Sequence, residues 1–240
     1  MDRAQENYKK FNQNFKDIAI IFDAKISAPE GDMASEMKLF LKGEKSRSET
    51  LMQMPASEGM PEGMASMLVV VIFDGHDTWM VSPFTGKNKL TAMQAEEQMH
   101  FQTGMNWWKF ISDSTRYAGI ENILGRDCYL LELDIKGNSP YKRIWVDKNT
   151  LFLMQAEGIN SEGDNIRMTF SDFKKVQGDW QLPYKVEVFM NEAPIMRIIT
   201  KSLTINKGIS DELFDVDNVE VQGPNFQEML QNMMKPSGKK

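Results

Sequence analysis

The sequence predicts an α+β protein that is mainly antiparallel β-sheet, with about ten or eleven strands and a few short helices. Three observations predict this class. An apolar run over residues 67–73 stops at Asp74-Gly75 and is followed by a second run that carries Trp79, which is a strong hairpin signal. Apolar and polar residues alternate over much of the remaining chain, with connections too short for βαβ crossovers. Because strands twist, so large a sheet is expected to curl strongly.

The first part of the chain is predicted to contain a helix and three meandering strands. Apolar residues recur every three or four positions over residues 3–15, which is typical of an amphipathic helix that packs its aromatic side onto a sheet. The period changes to two in residues 18–26, 36–42 and 47–54, which predicts strands. Residues 55–66 are rich in Pro, Gly and small residues and are expected to form a loop.

The second part is predicted to cover and then extend the sheet. Residues 93–111 lack a period of two and are interpreted as one or two short helices, broken near Gly104, that cover one face. Strand patterns resume at about residue 114, and an acidic, irregular segment follows at residues 208–221. Within that segment, Phe214 is expected to be an anchor.

One domain is predicted for the chain. Residues 1–216 are expected to form this domain, and residues 217–240 a Met-rich tail with a short helix followed by disorder.

Composition and charge exclude several classes of protein. The net charge is -6 and the Lys and Arg residues are scattered, which argues against nucleic-acid binding. No apolar run is long enough to be a transmembrane helix. The N-terminal residues lack the apolar core of a signal peptide, which leaves open a cytosolic protein or the mature form of an exported one. The only cysteine, Cys128, allows no internal disulfide and is interpreted as a core residue.

No motif in the sequence predicts catalysis, a cofactor or a metal. The two histidines, His76 and His100, are too few for a histidine-rich zinc site, and there is no nucleophile elbow, phosphate-binding loop or dinucleotide fingerprint. Four carboxylates cluster near the C-terminal end of the predicted sheet, but their spacing does not match a calcium loop, which favours a solvated acidic loop. A glycosidase pair among the many carboxylates remains an open alternative. The four are Asp211, Glu212, Asp215 and Asp217.

Apolar and aromatic side chains are the remaining candidates for function. The chain has 19 methionines, which suit either gap-filling in a core or an adaptable apolar surface. Five aromatic residues are candidates for the lining of a concave interior, although they fit an ordinary core equally well. Half of a sixteen-carbon acyl chain buried there would supply about 6 kcal/mol, at roughly 0.8 kcal/mol per methylene. The five are Trp79, Phe84, Trp107, Trp108 and Trp145.

Residues 73–84 have the pattern D-G-x-x-x-W-x-x-x-P, and a predicted N-terminal amphipathic helix leads into residues 18–26. Both features resemble the outer-membrane lipoprotein-sorting family, the LolA-like periplasmic carriers. Residues 43–49 resemble its Arg-bearing strand, and residues 209–214 resemble its closing segment. The resemblance covers about residues 3–216 and is weakest after Thr91.

This resemblance implies an incomplete antiparallel β-barrel whose helices cap a hydrophobic cavity. It also implies that Arg47 matches the family arginine that holds the closed state through the lid. Met37, Leu39 and Leu41 of a predicted strand join the aromatic residues as candidate ligand-binding positions. Export to the periplasm is implied as well, with the signal peptide already removed.

Three hypotheses about function follow from these observations. The leading one is a non-enzymatic periplasmic carrier that binds lipid or lipoprotein acyl chains and exchanges them with donor and acceptor membrane proteins. The second is a sensor or protein-interaction module of the cell envelope with the same shell. The third is a hydrolase that uses two carboxylates. None of the three requires a cofactor, and the sequence does not identify the cargo.

Overall fold

A computed structural model of the chain describes residues 6, 10, 13–27, 31–53, 66–91, 107–134, 141–160, 162–178 and 180–221. These residues form thirteen β-strands and three short 3-10 helices. The 3-10 helices are Trp107–Phe110, Asp211–Phe214 and Val216–Asn218. The strands are β1 Asp17–Ile26, β2 Met33–Lys42, β3 Lys45–Gln53, β4 Ser66–Phe73, β5 Thr78–Ser82, β6 Gly86–Lys89, β7 Arg116–Ile123, β8 Arg126–Glu132, β9 Tyr141–Asp147, β10 Leu153–Ile159, β11 Asn165–Gln177, β12 Trp180–Met190 and β13 Ala193–Ile205.

The strands form one antiparallel sheet in the order β6-β5-β4-β3-β2-β1-β13-β12-β11-β10-β9-β8-β7. The order has two ends, β6 and β7, so the sheet is not closed. The antiparallel class is therefore confirmed, but the predicted count of ten or eleven strands is too low. The end strand β7 contributes to the difference, because it is exposed along most of its length. A strand that is exposed on both faces lacks the alternation that marks a half-buried strand.

The hairpin predicted at Asp74-Gly75 is confirmed as the connection between β4 and β5. The carboxylate of Asp74 accepts hydrogen bonds from the backbone N–H groups of His76, at 2.7 Å, and Asp77, at 2.9 Å. Burial opposes ionisation here, but these donors outweigh it and lower the pKa of Asp74. Gly75 has φ +105°, a conformation that glycine adopts without strain.

Several predictions fall largely on residues outside those that the structure describes. They are the N-terminal helix over residues 3–15, the loop at 55–66, most of the helical region at 93–111 and the tail beyond residue 221. Glu6 and Lys10, which are described, form a 2.9 Å ion pair four residues apart.

Two compact units divide the chain, and each is described by itself. Unit 1 comprises Met1–Asn14, Ala24–Pro29 and Met99–Lys201, and unit 2 comprises Phe15–Asp23, Glu30–Gln98 and Ser202–Lys240. Unit 1 packs its core between the strands β9 to β12 and the 3-10 helix Trp107–Phe110. Unit 2 packs a separate core between the strands β4 and β5 and the C-terminal segment.

Candidate functional site

Strands β2 to β5 of unit 2 present two faces of opposite chemical character. The two-residue turn at Gly43-Glu44 pairs Lys42 with Lys45. Paired residues point to the same face of the sheet, and the faces alternate along each strand, so this register fixes the face of every side chain in the hairpin. One side, here called the charged face, carries Glu36, Lys38, Phe40, Lys42, Lys45, Arg47, Glu49, Leu51, Leu68, Val70, Ile72, Trp79 and Val81. The other, here called the neutral face, carries Ser35, Met37, Leu39, Leu41, Ser46, Ser48, Thr50, Met52, Met67, Val69, Val71, Phe73, Thr78 and Met80.

The C-terminal segment, residues 209–219, packs on the charged face. Phe214 is only 2% exposed and lies in a cluster with Val70, Ile72, Val81 and Val219. The segment holds its own shape through two side-chain caps. The Ser210 hydroxyl accepts from the N–H of Glu212, and the Asp215 carboxylate accepts from the N–H of Asp217. Phe214 is thus the anchor that the sequence predicts for this segment.

Lysine side chains fasten the same segment to the sheet. The Lys42 ammonium donates to the carbonyl oxygen of Ile209, at 2.8 Å, and to the carboxylate of Asp211, at 2.7 Å. Lys45 donates to the other oxygen of Asp211, at 3.0 Å. The hydrogen bonds from Lys42 and Lys45 lower the pKa of Asp211. Lys87 adds a fourth contact by donating to the backbone carbonyl of Asp217, at 3.1 Å.

Arg47 connects the charged face to this segment. Its Nη1 donates to the carbonyl oxygen of Leu213, at 2.9 Å, and its Nε donates to Glu49, at 2.8 Å. The side chain of Arg47 is only 11% exposed, so these two partners satisfy most of a buried guanidinium. The structure therefore places Arg47 on the opposite side of the sheet from Met37, Leu39 and Leu41.

The neutral face has no ionisable side chain on β2 to β5. It has two apolar rows, here called the rails, separated by a row of smaller hydroxylated residues on β3. The first rail is Met37, Leu39 and Leu41 on β2, and the second is Val69, Val71 and Phe73 on β4. Leu39 is buried, and the other rail residues are half-buried. The hydroxyl row between them is Ser46, Ser48 and Thr50.

Trp107 belongs to the core of unit 1. It is 5% exposed and packs with Tyr141, Met168 and Phe170 from the strands beneath it. Phe110 of the same 3-10 helix meets Tyr141 edge-on, with ring centroids 5.6 Å apart. Trp107 is therefore packed in a core, which is the ordinary reading that the sequence left open for it.

Trp145 lies on the other face of that sheet. Ile144 and Val146 face the cluster of Trp107, whereas Trp145 packs with Cys128, Leu130 and Met154. The Trp145 indole donates to the Glu121 carboxylate at 2.7 Å. The expectation of a single aromatic lining is corrected in this respect, because adjacent residues of one strand point to opposite faces and Trp145 cannot join Trp107.

The other predicted aromatic positions are also separated. Trp79 is half-buried on the charged face of unit 2, and its side chain helps to lower the pKa of Asp74. Phe84 lies in the turn after β5 and is 41% exposed. The side chain of Trp108 lies outside the part of the chain that the structure describes.

The acidic cluster has structural roles. Asp211 holds two lysines, Asp215 caps a 3-10 helix and accepts from the N–H of Asp217, and the backbone carbonyl of Glu212 accepts from Asn218. Within the described ranges, no group of three or more His, Cys, Asp and Glu residues is arranged to hold a metal ion.

Two features of the site were missed by the sequence reasoning. The first is the hydroxyl row on β3, and the second is Ser35, whose Oγ is buried without a hydrogen-bond partner. The short turn at Gly43-Glu44 is the signal that could have found the first, because a two-residue hairpin fixes which residues of β2 and β3 share a face. No signal in the sequence marks Ser35 as unpartnered.

Comparison of the sequence with protein families and with curated proteins gives a match to a family. The model of a family described as an uncharacterized protein matches residues 72–221, which is more than half of the chain. No curated protein matches the sequence. None of the helices in the described ranges has the length and apolar character needed to cross a bilayer.

Three solved structures resemble the chain over most of its length. A domain from Vibrio parahaemolyticus that is described as an outer membrane lipoprotein-sorting protein is 14% identical, with a TM-score of 0.63, and the match covers 89% of this chain and 95% of that one. A DUF1329 family protein from Desulfovibrio piger is 18% identical, with a TM-score of 0.62 and coverage of 89% and 95%. A LolA superfamily protein from Nitrosomonas europaea is 17% identical, with a TM-score of 0.58 and coverage of 90% and 99%. The LolA-like resemblance is therefore confirmed for the fold.

Proposed function

We propose that this chain, which belongs to the family of uncharacterized proteins matched over residues 72–221, is a non-enzymatic carrier that binds the acyl chains of lipids or lipoproteins on the neutral face of β2 to β5. The observation that carries the proposal is the contrast between the two faces. All ionisable side chains of these four strands lie on the charged face, which is also where the C-terminal segment packs. The neutral face offers two apolar rails that are largely half-buried in the same unit.

An acyl chain suits this face because its binding needs no charged partner. Each methylene taken out of water contributes about 0.8 kcal/mol, so eight methylenes between the rails would contribute roughly 6 kcal/mol before ordering costs. Met37, Met52, Met67 and Met80 all lie on this face, and their unbranched side chains adapt to ligands of different shape.

The similarity to structures of the LolA superfamily and to a lipoprotein-sorting domain supports the same proposal at the level of the fold. It extends the proposal to a place of action in the periplasm, where such a carrier would take its cargo from one membrane protein and deliver it to another.

Displacement of a fluorescent fatty acyl probe from the purified protein tests the proposal. In the double variant Met37→Gln/Met80→Gln, two thioethers are replaced by amides of similar shape. Burying an amide without a partner costs about 1–3 kcal/mol, so probe affinity should fall tenfold or more while the fold is retained.

Ile199→Gln is the matched control, because Ile199 lies in unit 1 and is 41% exposed. It should leave probe affinity unchanged. The proposal fails if the wild-type protein takes up no probe and purifies without lipid by native mass spectrometry. It also fails if the double variant binds as well as the wild type.

A second candidate function, an envelope sensor or interaction module, is favoured by one observation at the other end of the sheet. The end strand β7 and its turn to β8 expose Tyr117 by 57%, Ile120 by 49% and Leu124 by 64%. If this surface carries the function, Ile120→Ser should abolish capture of a specific envelope protein, while Met37→Gln/Met80→Gln should leave that capture intact.

A further inference from the structure

Ser35 is a buried hydroxyl without a hydrogen-bond partner. Its residue is 6% exposed, and its Oγ is the one buried side-chain oxygen or nitrogen found unpartnered among the described residues. Buried polar groups are almost always paired, since leaving one unpaired costs free energy, so such a group calls for an explanation. A ligand that displaces the groups covering Ser35 Oγ and supplies the missing partner is one explanation that can be tested.

The position of Ser35 places this hydroxyl at one end of the neutral face. Ser35 pairs with Met52 on β3, and Met52 pairs with Met67 on β4, so the three side chains form one row across the sheet. The rail on β2 starts two residues later, at Met37, and ends at Leu41. The seven residues from Ser35 to Leu41 are separated by six steps of roughly 3.3 Å and span about 20 Å, which suits an extended long acyl chain.

The hydroxyl row of β3 lies where an extended acyl chain would run between the two rails. The two rails lie on strands two positions apart, about 9.5 Å from one another, and the side chains between them are small. Thr50, Ser48 and Ser46 therefore form a strip of small side chains between the rails on β2 and β4, here called the channel. The channel runs from the row of Ser35 along the length of β3.

We propose that Ser35 Oγ donates a hydrogen bond to the carbonyl oxygen that links an acyl chain to its head group, and that the chain then lies along the channel over β3. This inference rests on the proposed function and adds to it the ligand class and its direction. The ligand is an acyl chain in ester or amide linkage, with its linkage at the Ser35 end and its terminal methyl toward Leu41.

The charge distribution selects a neutral carbonyl over a free carboxylate. No Lys or Arg of β2 to β5 lies on the neutral face, because Lys38, Lys42, Lys45 and Arg47 all lie on the charged face. An ionised carboxylate beside Ser35 would lose its hydration without gaining a cation, which is costly. An ester or amide carbonyl needs only one donor, and the Ser35 hydroxyl supplies one.

Binding of four sixteen-carbon probes to the full chain tests the inference. The probes are the methyl ester, the N-methyl amide, the free acid and a pyrene-labelled alkane without a carbonyl. In the wild-type protein the ester and the amide should bind more tightly than the free acid. Ser35→Ala should weaken the ester or the amide about three- to tenfold, the usual range for one neutral hydrogen bond, and leave the alkane unchanged. Ser35→Thr, which keeps a hydroxyl, should restore most of the loss.

The arms of the experiment separate the possible outcomes. A larger loss for the ester supports a glycerolipid-type linkage, and a larger loss for the amide supports an N-acyl linkage. Ser35→Ala should also raise the melting temperature of the ligand-free protein, because it removes an unpaired buried hydroxyl. The inference is overturned if Ser35→Ala weakens the alkane as much as the ester, or weakens neither. If the alkane binds and only the Ser35 effect is missing, this inference fails alone, whereas no binding by any probe removes the proposed function as well.

Discussion

Phe214→Ala should detach the C-terminal segment from the charged face of unit 2. Phe214 is 2% exposed and is the aromatic member of the cluster with Val70, Ile72 and Val81. A buried aromatic side chain covers about 150–250 Å², which corresponds to roughly 4–6 kcal/mol at about 25 cal/mol per Å². Alanine keeps only the Cβ, so the expected loss is about 3–5 kcal/mol, as for other Phe→Ala changes in cores.

The loss should appear first as local opening of the segment. Its other attachments are the exposed ion pairs of Lys42 and Lys45 with Asp211 and one hydrogen bond from Arg47, each of which contributes less than the buried ring. Hydrogen exchange should therefore show reduced protection over residues 209–219, together with a lower midpoint of urea unfolding. Leu124→Ala, at a side chain that is 64% exposed, is the control and should change the free energy of unfolding by less than about 0.5 kcal/mol.

This variant also tests the separation of the two faces. Because the segment lies on the charged face, Phe214→Ala should leave acyl-probe affinity within about twofold at a temperature where the variant is folded. A loss below about 1 kcal/mol with the segment still protected would refute the packing argument. A tenfold fall in probe affinity in the folded variant would refute the assignment of ligand binding to the neutral face.

Three further predictions concern single side chains. Arg47→Met should lower the free energy of unfolding by about 1–3 kcal/mol in a urea titration, because the carbonyl of Leu213 and the carboxylate of Glu49 lose their Arg47 donor. Arg47→Lys should recover only part of this loss, since lysine lacks the planar guanidinium group that reaches both partners. The pKa of Asp211 is lowered in the folded protein, so its ionised carboxylate stabilises the fold at pH values above its unfolded pKa of about 3.9. This stability is lost as the pH falls through the lower folded pKa. The difference in melting temperature between wild type and Asp211→Asn should therefore be present at pH 7 and vanish in acid. Burial, with a contribution from the Asp147 charge, raises the pKa of the Cys128 thiol to about 11, so the folded protein should not react with iodoacetamide at pH 8 on a timescale at which the protein in urea reacts completely.

Local patterns in the sequence were sufficient for the hairpin and the fold class. Asp74-Gly75 between two apolar runs predicted the β4–β5 hairpin because the turn is made by adjacent residues. Phe214 was identified as an anchor because it is a lone aromatic residue in an acidic segment. The end strand β7 gave no clear pattern, because it does not have one consistently buried face.

Grouping of the candidate site residues required pairing information that the alternation alone does not contain. Trp107 and Trp145 were grouped by residue type, but they lie in different clusters on opposite faces of one sheet. Arg47 was chosen from the family resemblance, which carries no information about its face, and the register places it on the opposite face from Met37 and Leu39. The bond from Arg47 to Leu213 joins residues 166 positions apart, which no short-range pattern reports.

Residue-level mapping of a photoreactive acyl ester is the most direct test of binding on the neutral face. The probe carries a diazirine along its chain, and tandem mass spectrometry locates each adduct. Adducts on β2 should fall on Met37, Leu39 and Leu41 and skip Lys38 and Phe40, because alternate residues of a strand point to opposite faces. Adducts on the skipped positions, or a distribution without this period of two, would contradict the account.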